Sequence, residues 1–179
     1  MKRLDPRDLA YCGLFGAAAL LLPVLFHLVH LGHVFMPMYL PLVTLAFLVR
    51  PLPAATTAAI TPVLSGAVTG MPPLYPPIAA FMGIELAFMA ALIATVVRRW
   101  PPFNPWLVLI PVLLLGRVVN VALVYGFARI ITLPAGFLAG LSLVSGWPGL
   151  ILMVAAVPPV AMLGRRYARP TLKDNRRAA

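Results

Sequence analysis

Residues 76–99 read PPIAAFMGIELAFMAALIATVVRR, and the reading of this stretch decides the fold. The apolar run is long enough to cross a bilayer as a helix, which takes about 20 residues. It holds one acid, Glu85, near its middle and closes on Arg98 and Arg99. Asp5, Asp8 and Asp174 fall in polar tails, which leaves Glu85 as the only acid of the hydrophobic body. A carboxylate at that depth is costly, so it belongs against protein or a cavity and needs a partner.

The rest of the chain agrees with a membrane environment. Of its 179 residues, 62% are hydrophobic and only 10% are charged, and the mean hydropathy is +0.99. A soluble domain is roughly half apolar and about a quarter charged. The expected fold is therefore an all-α membrane protein, a six-transmembrane-helix bundle over residues 9–166. A short N-terminal tail (1–8) and a basic C-terminal tail (167–179) flank it. The net charge of +10 would point to nucleic acid in a soluble protein, but basic residues also mark the cytoplasmic ends of spans. With six spans, twelve of the 14 lysines and arginines fall on one side, all but Arg117 and Arg129. Both termini are then expected to be cytoplasmic. Cys12 is the single cysteine, which excludes a disulfide framework and a cysteine-based metal site.

Depth points to the partner of Glu85. Glu85 lies 13 residues before Arg98, and Arg117 lies 12 residues after Pro105. At about 1.5 Å per residue both sit about 18–20 Å from the same face, on consecutive antiparallel spans. Glu85, Arg117 and Asn120, one turn beyond Arg117, can meet. Such a pair either holds two helices in register or forms half of a ligand site. Asn104 followed by Pro105 reads as the cap and first residue of the helix that carries Arg117.

Other residues offer weaker signals. His27, His30 and His33 recur at intervals of three near the end of the first span. They could ligate a metal, but no acid or cysteine is close in sequence, and polar lining of a pocket mouth is the preferred reading. Gly13, Gly16 and Ala17 place small residues along one face of the first helix, which either admits a close neighbour or reflects ordinary membrane-helix composition. The second span, about 38–49, is short for a bilayer. Residues 129–149, broken by Pro134, Gly136, Gly140, Gly146, Pro148 and Gly149, read as an irregular or re-entrant segment. Neither lysine, Lys2 or Lys173, stands in a phosphate-binding GxxxxGK[ST] loop, and the body has neither HExxH nor a second acid. Enzyme function is not expected.

Several motifs together resemble one family. They are Phe26-His27, Phe35-Met36-Pro37-Met38-Tyr39-Leu40-Pro41, Thr61-Pro62-Val63-Leu64-Ser65-Gly66, and Thr69-Gly70-Met71-Pro72-Pro73. Glu85, Gly116-Arg117, Gly146-Trp147-Pro148-Gly149-Leu150-Ile151-Leu152 and Val157-Pro158 complete the set. Over residues 10–166 this resembles the substrate-binding (S) components of energy-coupling factor (ECF) transporters. The chain departs from the family at Tyr39, often histidine there, and at Met153, often glutamine. The resemblance implies a multi-pass protein of the prokaryotic plasma membrane that captures a vitamin or vitamin-like micronutrient outside. Its partners would be a transmembrane coupling subunit and two cytoplasmic ATPases, with ATP used by those subunits and no cofactor in this chain. Gly13, Gly16 and Ala17 would dock on the coupling subunit. An outward pocket would be lined by His27, His30, His33, Tyr39, Tyr75, Glu85, Arg117, Asn120 and Trp147. The alternatives are an S-like subunit for a transition-metal ion, held by the histidines with Met36 or Met38, and a membrane scaffold protein clasped by Glu85 and Arg117.

Overall fold

The computed structural model describes residues 5–28, 35–75, 77–100, 104–131 and 146–168. These form six helices: α1 (Pro6–Leu28), α2 (Tyr39–Leu48), α3 (Pro51–Thr69), α4 (Ile78–Arg99), α5 (Pro105–Ile131) and α6 (Trp147–Ala168). Five are long and apolar enough to cross a membrane, which is the architecture of a membrane protein. Of the six spans expected from the sequence, the second falls short. Ten residues of α2 rise about 15 Å, half of a ~30 Å hydrocarbon core.

That short helix is the centre of the molecule. From Tyr39 to Phe47 every residue of α2 except Leu40 is buried, and α1, α3, α4 and α6 all pack on it. A helix that is apolar all round suits an interior position. Its Leu42 and Leu45 share a core with Leu86, Met89, Ile93, Leu109 and Met153, all large and fully buried.

Proline and glycine set the turns and close approaches. Pro51 starts α3 after Arg50, and Gly70 ends it in the left-handed conformation with φ 76°, where glycine carries no steric cost. Beyond it, the Ser65 hydroxyl donates to the Met71 carbonyl at 2.7 Å and pins the loop to α3. Where α3 meets α4, a Cβ on Gly83 would stand 2.7 Å from the Ala59 carbonyl oxygen. Only glycine allows that approach. The Asn104 side chain accepts from the Trp106 N–H at 3.1 Å with Pro105 between them, the cap that the sequence predicts.

The helix ends correct two sequence boundaries. Helix α1 begins at Pro6, so Asp8 is part of it, buried and joined to Arg50 at 2.5 Å. Asp8 is therefore no tail residue. Helix α5 continues to Ile131 and α6 starts at Trp147, which takes both ends of the expected irregular segment into regular helix. The remainder of that segment, 132–145, lies outside the described residues.

Helix α1 is the least enclosed element. It packs on α2 and α3, yet Leu9, Leu14, Leu21, Leu25 and Leu28 are all exposed, and Ala19 is its one buried apolar residue.

Candidate functional site

The expected meeting of α4 and α5 takes place at the first turn of α2. Glu85 is fully buried, and its Oε2 accepts two hydrogen bonds, from the Tyr39 hydroxyl at 2.5 Å and from Asn120 Nδ2 at 2.8 Å. Its Oε1 has no hydrogen-bond partner among the described residues, and Arg117 Nη2 stands 3.9 Å away. The carboxylate is thus held mainly by two neutral donors. The guanidinium completes an ion pair only at long range.

Arg117 spends its donors elsewhere. Its Nη2 donates to the thioether sulfur of Met36 at 2.9 Å, and its guanidinium carbon lies 5.4 Å from the centre of the Tyr39 ring. A thioether is a weak acceptor. The arginine side chain keeps 14% of its surface exposed, while that of Glu85 keeps none. So the cation is the accessible half of the pair.

Local sequence explains the geometry. Met36 precedes α2 with φ 47°, the left-handed region that non-glycine residues seldom occupy. Pro37 and Met38 follow as a turn, and Tyr39 N–H donates to the Met36 carbonyl at 3.0 Å. Gly146, just before α6, is buried against Met36; a Cβ there would collide with the Met36 methyl and lie 3.6 Å from Arg117 Nη1. Gly116 likewise leaves room for Met89, and its Cβ would be 3.5 Å from Glu85 Oε1. Both glycines make space around the charged pair. Beside Arg117 an apolar hollow of about 370 Å³ runs along one face of α5, lined by Arg117, Val118, Val121, Ala122 and Tyr125.

The structure gathers Tyr39, Glu85, Arg117 and Asn120 of the residues expected in the pocket. Tyr75 and Trp147 stand exposed, at 79% and 59%. His30 and His33 lie outside the described residues, as does the side chain of His27. Among the described residues no three His, Cys, Asp or Glu side chains come together as a metal site. Met36 and Gly146 are the members that were not expected to line the pocket. The available signal was their place at helix openings, Met36 in the Met36-Pro37-Met38 turn before α2 and Gly146 directly ahead of α6.

The small face of α1 divides in two. A Cβ on Gly16 would sit 3.5 Å from the Thr57 methyl, so Gly16 faces α3 inside the molecule. Gly13 is exposed, with nothing within 4 Å of a Cβ, and Ala17 is exposed beside it.

No protein-family model, curated protein or solved structure matches this chain.

Proposed function

We propose that this protein is the substrate-binding subunit of an ECF-type importer, taking up a vitamin or vitamin-like micronutrient. The observation that carries the reading is the charged cluster of Glu85 and Arg117, buried in the interior of an apolar bundle where two non-helical turns lead into α2 and α6. Charged groups in spans are expensive and accompany ligand pathways or transmembrane contacts. Support also comes from the motifs shared with the S components and from the missing nucleotide loop, which leaves energy coupling to other chains. In this reading the termini are cytoplasmic, the coupling subunit docks on the exposed edge of α1 at Gly13 and Ala17, and two ATPases drive transport.

Copurification tests it. Gly13→Leu with Ala17→Leu adds bulk to an exposed face without displacing a neighbour of Gly13. The double variant should fold and lose its coupling and ATPase partners. Recovery of the complex intact refutes docking on α1, and recovery of no such partners with the unaltered chain refutes the importer reading.

A specific observation favours a second reading, a scaffold protein held by a structural clasp: Glu85 is sealed from solvent and already bound by Tyr39 and Asn120. A panel of vitamins that produces no binding heat, together with stable partners other than an ATPase module, would establish it.

A further inference from the structure

We infer that the ligand is an amphipathic organic carboxylate, whose head group takes the place of the Met36 sulfur on Arg117. The inference rests on the uptake reading and assigns its substrate class.

Charge bookkeeping around Arg117 comes first. Glu85 sits too far from the guanidinium for a hydrogen bond, at 3.9 Å, and is satisfied on Oε2 by Tyr39 and Asn120. Among the described residues, the acceptor that an Arg117 N–H reaches is the Met36 thioether, at 2.9 Å. A guanidinium presents five donors in a planar fork matched to a carboxylate, and an uncharged sulfur accepts one of them poorly. A carboxylate oxygen at the sulfur's position would exchange a weak neutral contact for a charge-assisted pair. The exchange disturbs neither hydrogen bond to Oε2.

Met36 is placed to yield. It belongs to the non-helical turn before α2, its backbone lies at φ 47°, and its methyl occupies the room left by Gly146. An unbranched thioether side chain has three rotatable bonds and refills space readily.

The hollow sets the remainder of the ligand. It begins at Arg117 and continues over Val118, Val121 and Ala122 to Tyr125, with no acid among those residues. The hollow is an open groove formed by one helix, with Val118 and Tyr125 exposed, so the ligand's body would lie along the face of α5. One cation at the end of an apolar trough matches one anionic head on an apolar body. A cationic head would meet Arg117 with like charge, and a neutral head would leave its fork unfilled. Farther along the same helix Arg129 bonds the Tyr125 hydroxyl and stacks over its ring, 5.0 Å from the centroid, adding a second positive charge near the far end of the trough.

Methyl-labelled methionine NMR on the whole protein in nanodiscs reads the event directly. Octanoate, octylammonium and octanol serve as probes, with the Met36 signal assigned by its loss in Met36→Leu. Octanoate should shift the Met36 resonance saturably, and the other two probes should not. Arg117→Gln should weaken octanoate at least tenfold, whereas Arg117→Lys should retain part of the affinity. Isothermal titration calorimetry, which needs no Met36 signal, should show Met36→Ala binding octanoate several-fold tighter because no sulfur competes, and this arm remains decisive if Arg117→Gln fails to fold. Equal shifts from all three probes mean simple partitioning and overturn the proposal, as do an unmoved Met36 signal or unchanged affinity in Arg117→Gln. Failure here with coupling and ATPase subunits still copurifying rejects the substrate class alone. Loss of those partners rejects the importer reading.

Discussion

A double-mutant cycle between Tyr39 and Glu85 tests whether the buried cluster holds α2 to α4. Tyr39 is 2% exposed and donates to a fully buried carboxylate at 2.5 Å, so no water stands ready to replace the hydroxyl in Tyr39→Phe. A hydrogen bond to a charged group contributes about 1.5–3 kcal/mol. Bonds between helices within membranes average about 0.6 kcal/mol, because the unfolded chain in a membrane also finds partners. Between these limits, Tyr39→Phe should cost about 1–2 kcal/mol. Glu85→Gln keeps one acceptor oxygen but removes the charge 3.9 Å from Arg117, and should cost about 1–3 kcal/mol. Once the glutamine is present the Tyr39 hydroxyl has lost its charged acceptor, so the two costs should not add. The coupling should be about 1 kcal/mol, roughly a fivefold change in the unfolding equilibrium. Detergent-driven unfolding in mixed micelles, followed by far-ultraviolet circular dichroism on all four forms, measures it. Additivity to within about 0.5 kcal/mol, the usual result for independent sites, would refute the claim that this bond ties the helices.

Glycine substitutions should separate packed from open positions. Gly83→Ala drives a methyl to 2.7 Å from a backbone carbonyl and should destabilise by about 1–3 kcal/mol in the same unfolding assay, while Gly13→Ala should stay within about 0.5 kcal/mol. The Asp8–Arg50 pair and the weak contact from Cys12 Sγ to the Pro53 carbonyl, at 3.6 Å, both secure the start of α1. Arg50 keeps 30% of its side chain exposed, so Arg50→Gln should cost under about 1 kcal/mol yet raise the alkylation rate of Cys12 by a maleimide several-fold. An unchanged rate would show that α1 is secured elsewhere. A cysteine at position 179 should react with an impermeant reagent only in inverted vesicles, and reaction in intact cells would reverse the proposed orientation.

The sequence made the α4–α5 encounter legible because depth is arithmetic: two charged residues at equal distances from one end of adjacent spans must be level. The Asn104-Pro105 cap was legible for a similar reason, being local chemistry within three residues. What surrounds the pair was harder to read. Met36 carries no charge and no periodicity, and its role depends on a backbone turn and on the space beside Gly146. The length of α2 was visible, but its place at the centre was not, since burial on every side comes from contacts far away in the chain. Tyr75 and Trp147 show how little an aromatic reveals by itself. An aromatic beside a proline-rich turn suits a pocket wall or an exposed rim equally well, and these two are exposed.

The order in which the chain is made gives the half-length helix a further meaning. Ten residues are too few to settle across a bilayer alone, so α2 depends on neighbours for its seat. One of those neighbours is the last helix, whose Met153, Val157 and Ala161 join the same core and whose Gly164 leaves room for Leu48. During synthesis the core around α2 therefore stays unsealed until α6 arrives. Any chain stopped short of α6 would carry an open flank that quality-control proteases can find.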